Sequence, residues 1–433
     1  MNLRLRDLTG RHVVVWGFGE EGRAAVRVLH AHATTASLTV VVDTGTTPIT
    51  MDDVPVLTGT DADGALARAE IVVKSPGVSP YTERFRASTA HAEVTGGTAL
   101  WLAETGGART IAVTGSKGKS TTTSLVAHLL AALGEDVVLA GNVGRPLLDV
   151  LEAELRDGPT PSRRYALELS SFQAAEARNS PEVGVLTALF PEHLDWHGSV
   201  ERYYDDKCNL FGHRGDATVA VNADNPDAAS RLDSIHGARP YGIRGEIHVR
   251  GTTIAGRDGD VLIDLAGSAL RGRHNAVNLA GALTAIEAAG FDIQSRADEL
   301  QAAVSTFLPL AHRLEPIGTV GGRLVIDDGL STAPQAAVAA LAAFDDRPVA
   351  IIVGGHDRGL DYAPLAAALA ARRAPTWVLG VPDSGERVVP QIATAVAKAG
   401  NESVRVDAFD DLDRKSTRLN SSHVVTSRMP SSA

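Results

Sequence analysis

Thr114-Gly115-Ser116-Lys117-Gly118-Lys119-Ser120-Thr121 is the stretch on which the reading of this chain turns. An apolar run, Thr110 to Val113, leads into it. Lys119 to Leu133 leaves it with helical spacing. A strand, a glycine turn and a helix in that order aim backbone N–H groups at an anion. The helix N-terminus adds its partial positive charge. Lys119 can then neutralise the outer phosphates of a nucleotide, and the Ser120 hydroxyl can reach a magnesium ion. The usual phosphate loop has a glycine where Val113 stands, so this is a shortened variant. The plainer alternative is a glycine-rich turn with a chance lysine.

Outward from this loop, the rest of the chain reads as alternating strands and helices. Before it, His12 to Trp16 is an apolar run, followed by Gly17, Gly19 and Gly22 and a helical stretch from Arg23 to His32. Leu38 to Val42 ends at Asp43, and Ile71 to Val73 closes at Ser75-Pro76-Gly77. The glycine spacing and Asp43 match a dinucleotide fingerprint, although the turn could equally hold a UDP diphosphate. After the loop, Tyr165 to Leu169, Val183 to Leu189 and Thr218 to Val221 predict strands of a mostly parallel sheet. Segment 240–270 suggests small antiparallel strands, and Asn278 to Ala289 a helix. Leu324 to Ile326, Val349 to Val353, Thr376 to Leu379 and Val404 to Val406 predict a third α/β layer. Residues 414–433 lose all periodicity and read as a disordered tail.

Bulk properties agree with a multidomain enzyme. The 433 residues exceed one ordinary core, so two to four domains are expected. Hydrophobic content is 44% and net charge is −11, which argues against sequence-independent nucleic-acid binding. Cys208 is alone, so no intramolecular disulfide can form, and it receives no role. No apolar run is long enough to span a membrane. A cytoplasmic location is expected.

Several polar residues follow predicted strands. Glu168, in Leu167-Glu168-Leu169-Ser170-Ser171-Phe172-Gln173, is placed to hold magnesium beside a phosphate loop; a solvated loop acid is the alternative. His193, in Pro191-Glu192-His193-Leu194-Asp195-Trp196-His197, could ligate metal or stay structural. For Lys207, residue type alone favours a solvated cation. Asn275 and Asn278 share one helical face and could read an adenine edge or cap the helix. Arg313 opens the third layer, and Asp327 and Asp328 end a strand there.

In this order and spacing the motifs resemble the Mur ligases, and within them the branch that adds glutamate to a UDP-linked muramoyl-alanine. The resemblance runs from about residue 10 to about 410. It rests on the loop from Gly115 to Ser120, Gly141-Asn142, Glu168 to Gln173, His193 with Lys207, Gly272-Arg273-His274-Asn275 with Asn278, and His312-Arg313. It implies three domains: a Rossmann-like UDP-substrate domain (1–105), a central ATP-binding domain (106–310) and a Rossmann-like amino-acid domain (311–413) that stops short. Gly115, Ser116, Lys117, Gly118, Lys119, Ser120 and Thr121 would hold ATP, with Asn275 and Asn278 at adenine, Arg313 at the phosphates and Asp328 at the ribose. Ser120, Glu168, His193 and a carbamylated Lys207 would hold two magnesium ions. Gly19, Glu20, Glu21, Asp43, Thr44, Ser75, Asn142, Thr332 and Arg358 would contact the substrates. Catalysis would rest on Lys119, His193, Lys207 and Arg313, with a route through an acyl phosphate. A monomer is expected.

Three departures qualify the resemblance. In Asp328-Gly329-Leu330-Ser331-Thr332-Ala333, Leu330 stands where D-glutamate ligases often carry lysine. Gly45 replaces an arginine that often assists the uridine site, and 414–433 do not resemble the family's ending. The Trp16-Gly17-Phe18-Gly19-Glu20-Glu21-Gly22 turn and the Thr114-Gly115-Ser116-Lys117 loop favour the L-glutamate branch over the D-glutamate one. The rivals are a folyl-polyglutamate-type ligase, which lacks a counterpart of 10–105, a non-catalytic relative, and an NAD dehydrogenase.

Overall fold

Period-two alternation explains the first layer. Val13 and Val15 of β1 (His12–Trp16) pack on one face with α1 (Glu20–His32); Val14 and Trp16 pack on the other with α2 (Gly59–Arg68) and Phe85 of α3 (Glu83–Thr89). A strand apolar on both faces needs helices on both sides of its sheet. With β2 (Ser37–Val41), β3 (Val56–Leu57), β4 (Ile71–Lys74) and β5 (Glu93–Gly96), β1 forms a parallel sheet in the order β3-β2-β1-β4-β5. Helix α4 (Gly97–Thr105) leads out of it. The computed structural model describes residues 2–43, 53–158, 160–308, 314–329, 334–345, 347–355, 360–408 and 427–428.

The second sheet is parallel and six-stranded, in the order β11-β10-β9-β6-β8-β7. Its strands are β6 (Thr110–Thr114), β7 (Val137–Gly141), β8 (Arg164–Glu168), β9 (Val183–Leu186), β10 (Thr218–Asn222) and β11 (Ala238–Tyr241). Helices α5 (Lys119–Ala132), α6 (Leu147–Asp157), α7 (Ser171–Ala174), α8 (Leu194–His197), α9 (Val200–Cys208) and α10 (Pro226–Ala229) connect them. The expected antiparallel strands are β12 (His248–Arg250), β13 (Thr253–Ala255) and β14 (Val261–Asp264). Helices α11 (Arg273–Ala288) and α12 (Ala297–Thr306) follow.

The chain gathers into two compact units, the first holding both of these sheets (1–266 and 277–305) and the second 267–276 and 306–433. Within the first unit, α1 packs along α6, and Arg27 donates to both carboxylate oxygens of Asp149 at 2.8 and 2.7 Å. In the second unit the parallel strands β17 (Val349–Gly355), β18 (Thr376–Asp383) and β19 (Val404–Ala408) alternate with α14 (Ala363–Ala371) and α15 (Ser384–Lys398). Helix α13 (Pro334–Ala342) precedes them. Ahead of these lies a hairpin: β15 (Glu315–Val320), absent from the strand predictions, turns at Gly321-Gly322 into β16 (Arg323–Asp327), which covers the predicted strand Leu324 to Ile326. Of the segment expected to be disordered, Ser427 and Arg428 pair with β16 as β20 (Ser427–Arg428), and the remainder lies outside the described residues. No described helix is long and apolar enough to cross a membrane.

Candidate active site

Strand β6 lies between β8 and β9, so their carboxyl ends bring Thr114, Glu168 and Leu186 to one rim of the sheet. Ligand sites of parallel sheets form at that rim. The loop crosses it on two glycines no other residue could replace easily. Gly115 has φ +143°, and a Cβ there would lie 2.0 Å from Thr187 Oγ1. Gly118 has φ +93°, and its Cβ would lie 2.5 Å from Asn278 Oδ1. Gly118 also caps α5, whose first-turn N–H groups have no acceptor inside the helix.

The structure narrows the expected phosphate cradle. Both Ser116 and Lys117 donate their backbone N–H to Ala188 O, at 2.7 and 3.3 Å. Ser116 Oγ bonds Phe190 O at 2.7 Å and Tyr203 Oη at 2.8 Å, while Lys117 Nζ pairs with Glu192 Oε1 at 2.8 Å. These two residues fasten the loop to the segment after β9 because Gly115 lets it lie against Thr187. The backbone N–H groups of Ser116 and Lys117 are thereby committed within the protein, and Gly118 to Thr121 open helix α5. Lys119 Nζ donates to Ser116 O at 3.1 Å, folded back over the loop.

Glu168 is 1% exposed. Its Oε1 accepts from Asn142 Nδ2 at 2.7 Å, and its Oε2 is buried without a hydrogen-bond partner. Asn142 is held in turn by its own N–H on Glu168 O, at 2.8 Å. Gly141, with φ +102°, permits this closeness, since a Cβ there would sit 2.2 Å from Glu168 O. Glu168 is therefore an interior carboxylate and not a solvated loop acid.

Lys207 overturns the expectation from residue type. It is 2% exposed, donates to Gly115 O at 2.7 Å and lies 4.7 Å from the centre of the Tyr203 ring. Burial, reinforced by Lys119, holds its pKa well below the usual lysine range. Tyr203 was missed from the sequence; its spacing of four from Lys207 on α9 was the available signal. His193 caps α8 in the left-handed region at φ 53°, against Phe172 at 5.0 Å. Burial lowers its pKa, which keeps the imidazole neutral as metal ligation requires. Among the described residues, no three His, Cys, Asp or Glu side chains form a ready cation cage.

In the first sheet, Gly19 caps α1 and Glu20 is exposed beside it. Ser75 Oγ donates to Gly17 O at 3.2 Å. Asp43 Oδ1 accepts from Trp16 Nε1 at 3.1 Å and pairs with Arg84 at 2.9 Å. The Glu21 carboxylate accepts from Gln173 Nε2 of α7 at 2.9 Å. Burial, with help from the nearby Glu176 charge, raises its pKa to about 7. Glu176 itself is buried against Lys74, which is 4% exposed. Asn278 meets the loop at Gly118. In the second unit Asn275 Nδ2 donates to Arg271 O at 2.8 Å, and Asp328 Oδ1 accepts from Leu314 N at 3.0 Å. Thr44, Arg313, Thr332 and Arg358 lie outside the described residues.

A glycine loop opening a helix at the rim of a parallel sheet, facing a buried carboxylate with a spare oxygen, defines an enzyme that uses a nucleoside triphosphate. Residues 113–286 match the family description "Mur ligase middle domain". A UDP-N-acetylmuramoyl-L-alanine–L-glutamate ligase of a Micromonospora species is 45% identical over 95% of this chain and 88% of its own length. Enzymes of the same name from Salinispora tropica and Xanthomonas euvesicatoria are 45% and 41% identical, again over 95% of this chain and over 89% and 87% of theirs. In fold, the chain is similar to a MurF of Acinetobacter baumannii (TM-score 0.57, 16% identity, 94% of this chain and 83% of that one). It is also similar to the UDP-N-acetylmuramate-alanine ligase MurC of Thermotoga maritima (TM-score 0.55, 16% identity, 95% and 93%). The chain belongs to the Mur ligase family and is an ATP-dependent acid–amino-acid ligase.

Proposed function

We propose that this enzyme joins L-glutamate to UDP-N-acetylmuramoyl-L-alanine in the cytoplasm, as one step of peptidoglycan synthesis. The observation that carries the chemistry is Glu168: a buried carboxylate with one oxygen fixed by Asn142 and the other unpartnered, on the rim beside the phosphate loop. A buried orphan carboxylate oxygen is costly unless a cation meets it. Magnesium fits, since it takes oxygen donors and keeps waters and phosphate oxygens in its shell. Ser120 and Glu168 would hold it between the nucleotide phosphates, where it supplies charge neutralisation. The choice of L-glutamate rests on the names of the relatives and on Leu330.

The residues of the chain do the rest by position. Lys119, whose Nζ donates to Ser116 O, would meet the transferring phosphate, and the α5 N-terminus would face the same charge. Asn142 orients the substrate carboxylate that attacks the terminal phosphate in line, breaking the bond to the β-phosphate and expelling ADP. The resulting acyl phosphate is opened by the glutamate amine, and phosphate leaves. By the family resemblance, Arg313 and Asp328 would take phosphate and ribose contacts. Lys207 fits a carbamate: its amine is buried, held away from protonation and next to Glu168's rim. As a carbamate it would present oxygens, together with neutral His193, to a second magnesium ion.

The test is phosphate release measured with each component omitted in turn. Release should need UDP-N-acetylmuramoyl-L-alanine, magnesium and glutamate together, and L-glutamate should outpace D-glutamate. Release indifferent to the muramoyl substrate would overturn the assignment; a D-glutamate preference would overturn the stereochemistry alone.

A further inference from the structure

Next to the proposed site lies a buried polar chain that the reaction does not use. His197 is 0% exposed, and both ring nitrogens are engaged: Nδ1 with Asp206 Oδ2 at 2.6 Å and Nε2 with Ser171 Oγ at 3.0 Å. The other carboxylate oxygen of Asp206, Oδ1, accepts from the Tyr81 hydroxyl at 2.6 Å. A carboxylate offers only acceptors, so Nδ1 of His197 carries a hydrogen. The imidazole also stacks on Phe172 at 5.5 Å and meets the Tyr203 ring edge-on at 5.0 Å.

The two ends of this chain fall beside the two residues that matter. Ser171 follows Glu168 by three positions, at the start of α7, and Asp206 immediately precedes Lys207 on α9. With Asp206 held through both oxygens from two different elements, α9 cannot rotate about its axis. That rotation sets whether Lys207 points at Gly115 O or elsewhere. With Ser171 held by the same imidazole, the turn after β8 is fixed relative to α9. Groups that hold metal-binding side chains in place from behind set their orientation, and removing them commonly changes metal affinity about 10–100-fold.

We propose that His197, acting through Asp206 and Ser171, is the positioning residue that holds Lys207 and Glu168 in register for carbamate formation and magnesium binding. Tyr81 fastens the outer end of the same chain from the turn between β4 and α3. The inference rests on the reading of Lys207 given above.

The test uses full-length protein with carbon-13 bicarbonate and a non-hydrolysable ATP analogue. It reads the carbamate carbon signal by NMR and the magnesium concentration for half-saturation by titration calorimetry. His197→Phe keeps the ring contacts and removes both hydrogen bonds. The expected result is a carbamate signal below roughly a tenth of the wild-type one and a magnesium requirement raised about 10–100-fold. Tyr81→Phe removes one hydroxyl and should shift both readouts a few-fold in the same direction. A folded His197→Phe protein with the wild-type signal and magnesium requirement overturns the proposal. Should that variant not fold, Tyr81→Phe indistinguishable from wild type in both measures overturns it. A wild-type protein with no carbamate signal removes the Lys207 reading itself.

Discussion

Single residues carry most of the chemistry that can be tested directly. Lys119→Ala removes the loop lysine proposed to meet the phosphates, and kcat/KM for ATP should fall roughly 10²–10³-fold in a coupled phosphate assay. Glu21 makes a pH prediction. Its folded pKa of about 7 lies above the ordinary 4.5, so between these values the native state holds a proton that the unfolded chain has lost. Stability therefore falls as pH rises through this window, by up to about 3 kcal/mol, and is flat above it. Glu21→Gln keeps an acceptor for Gln173 and removes the penalty. Its melting temperature should exceed wild type at pH 8 and match it near pH 4. The Lys74–Glu176 pair behaves oppositely: removing either partner strands a buried charge, and Lys74→Met should cost about 3–5 kcal/mol in denaturant unfolding. Neither Glu21's inward turn nor this pair was legible in the sequence. Their partners lie 152 and 102 residues away, and nothing local marks an ion as interior. Lys207 taught the same lesson, because residue type reports only the average environment of a lysine.

At the scale of elements the sequence was far more informative. Strand, loop and helix around Gly115 to Ser120 were readable because glycine placement and apolar period are local properties. Glu168 at a strand end was readable for the same reason. Strand β15 was overlooked although Gly321-Gly322 marks its turn into the predicted β16; β15 is largely exposed and lacks an apolar run. The commitment of Ser116 and Lys117 to Ala188 was hidden, because it depends on β9 lying next to β6. That junction supplies a prediction. Gly118→Ala would force a left-handed φ on a side chain 2.5 Å from Asn278 Oδ1. It should lower stability by about 1–2 kcal/mol and weaken ATP binding measured by calorimetry, while leaving binding to the first sheet's glycine turn intact.

For the molecule as a whole, each of the two compact units has its own apolar core. Calorimetry should resolve two unfolding steps. Gly118 to Thr121 and Glu168 belong to the first unit, so magnesium with an ATP analogue at about a hundred times its Kd should stabilise that step by roughly 2.7 kcal/mol. A single transition that ignores nucleotide would contradict this.

The strand order has a further consequence for the birth of the protein. β6 must wait for both neighbours, β8 and β9, and the later of these ends at Leu186. At about 5–20 residues per second, a ribosome takes several seconds to deliver them after Thr114 emerges. During that interval the nascent chain carries a naked β-branched edge, and the nucleotide pocket does not yet exist. Holding chaperones, rather than ATP, are what such a chain can profit from until translation has passed that point.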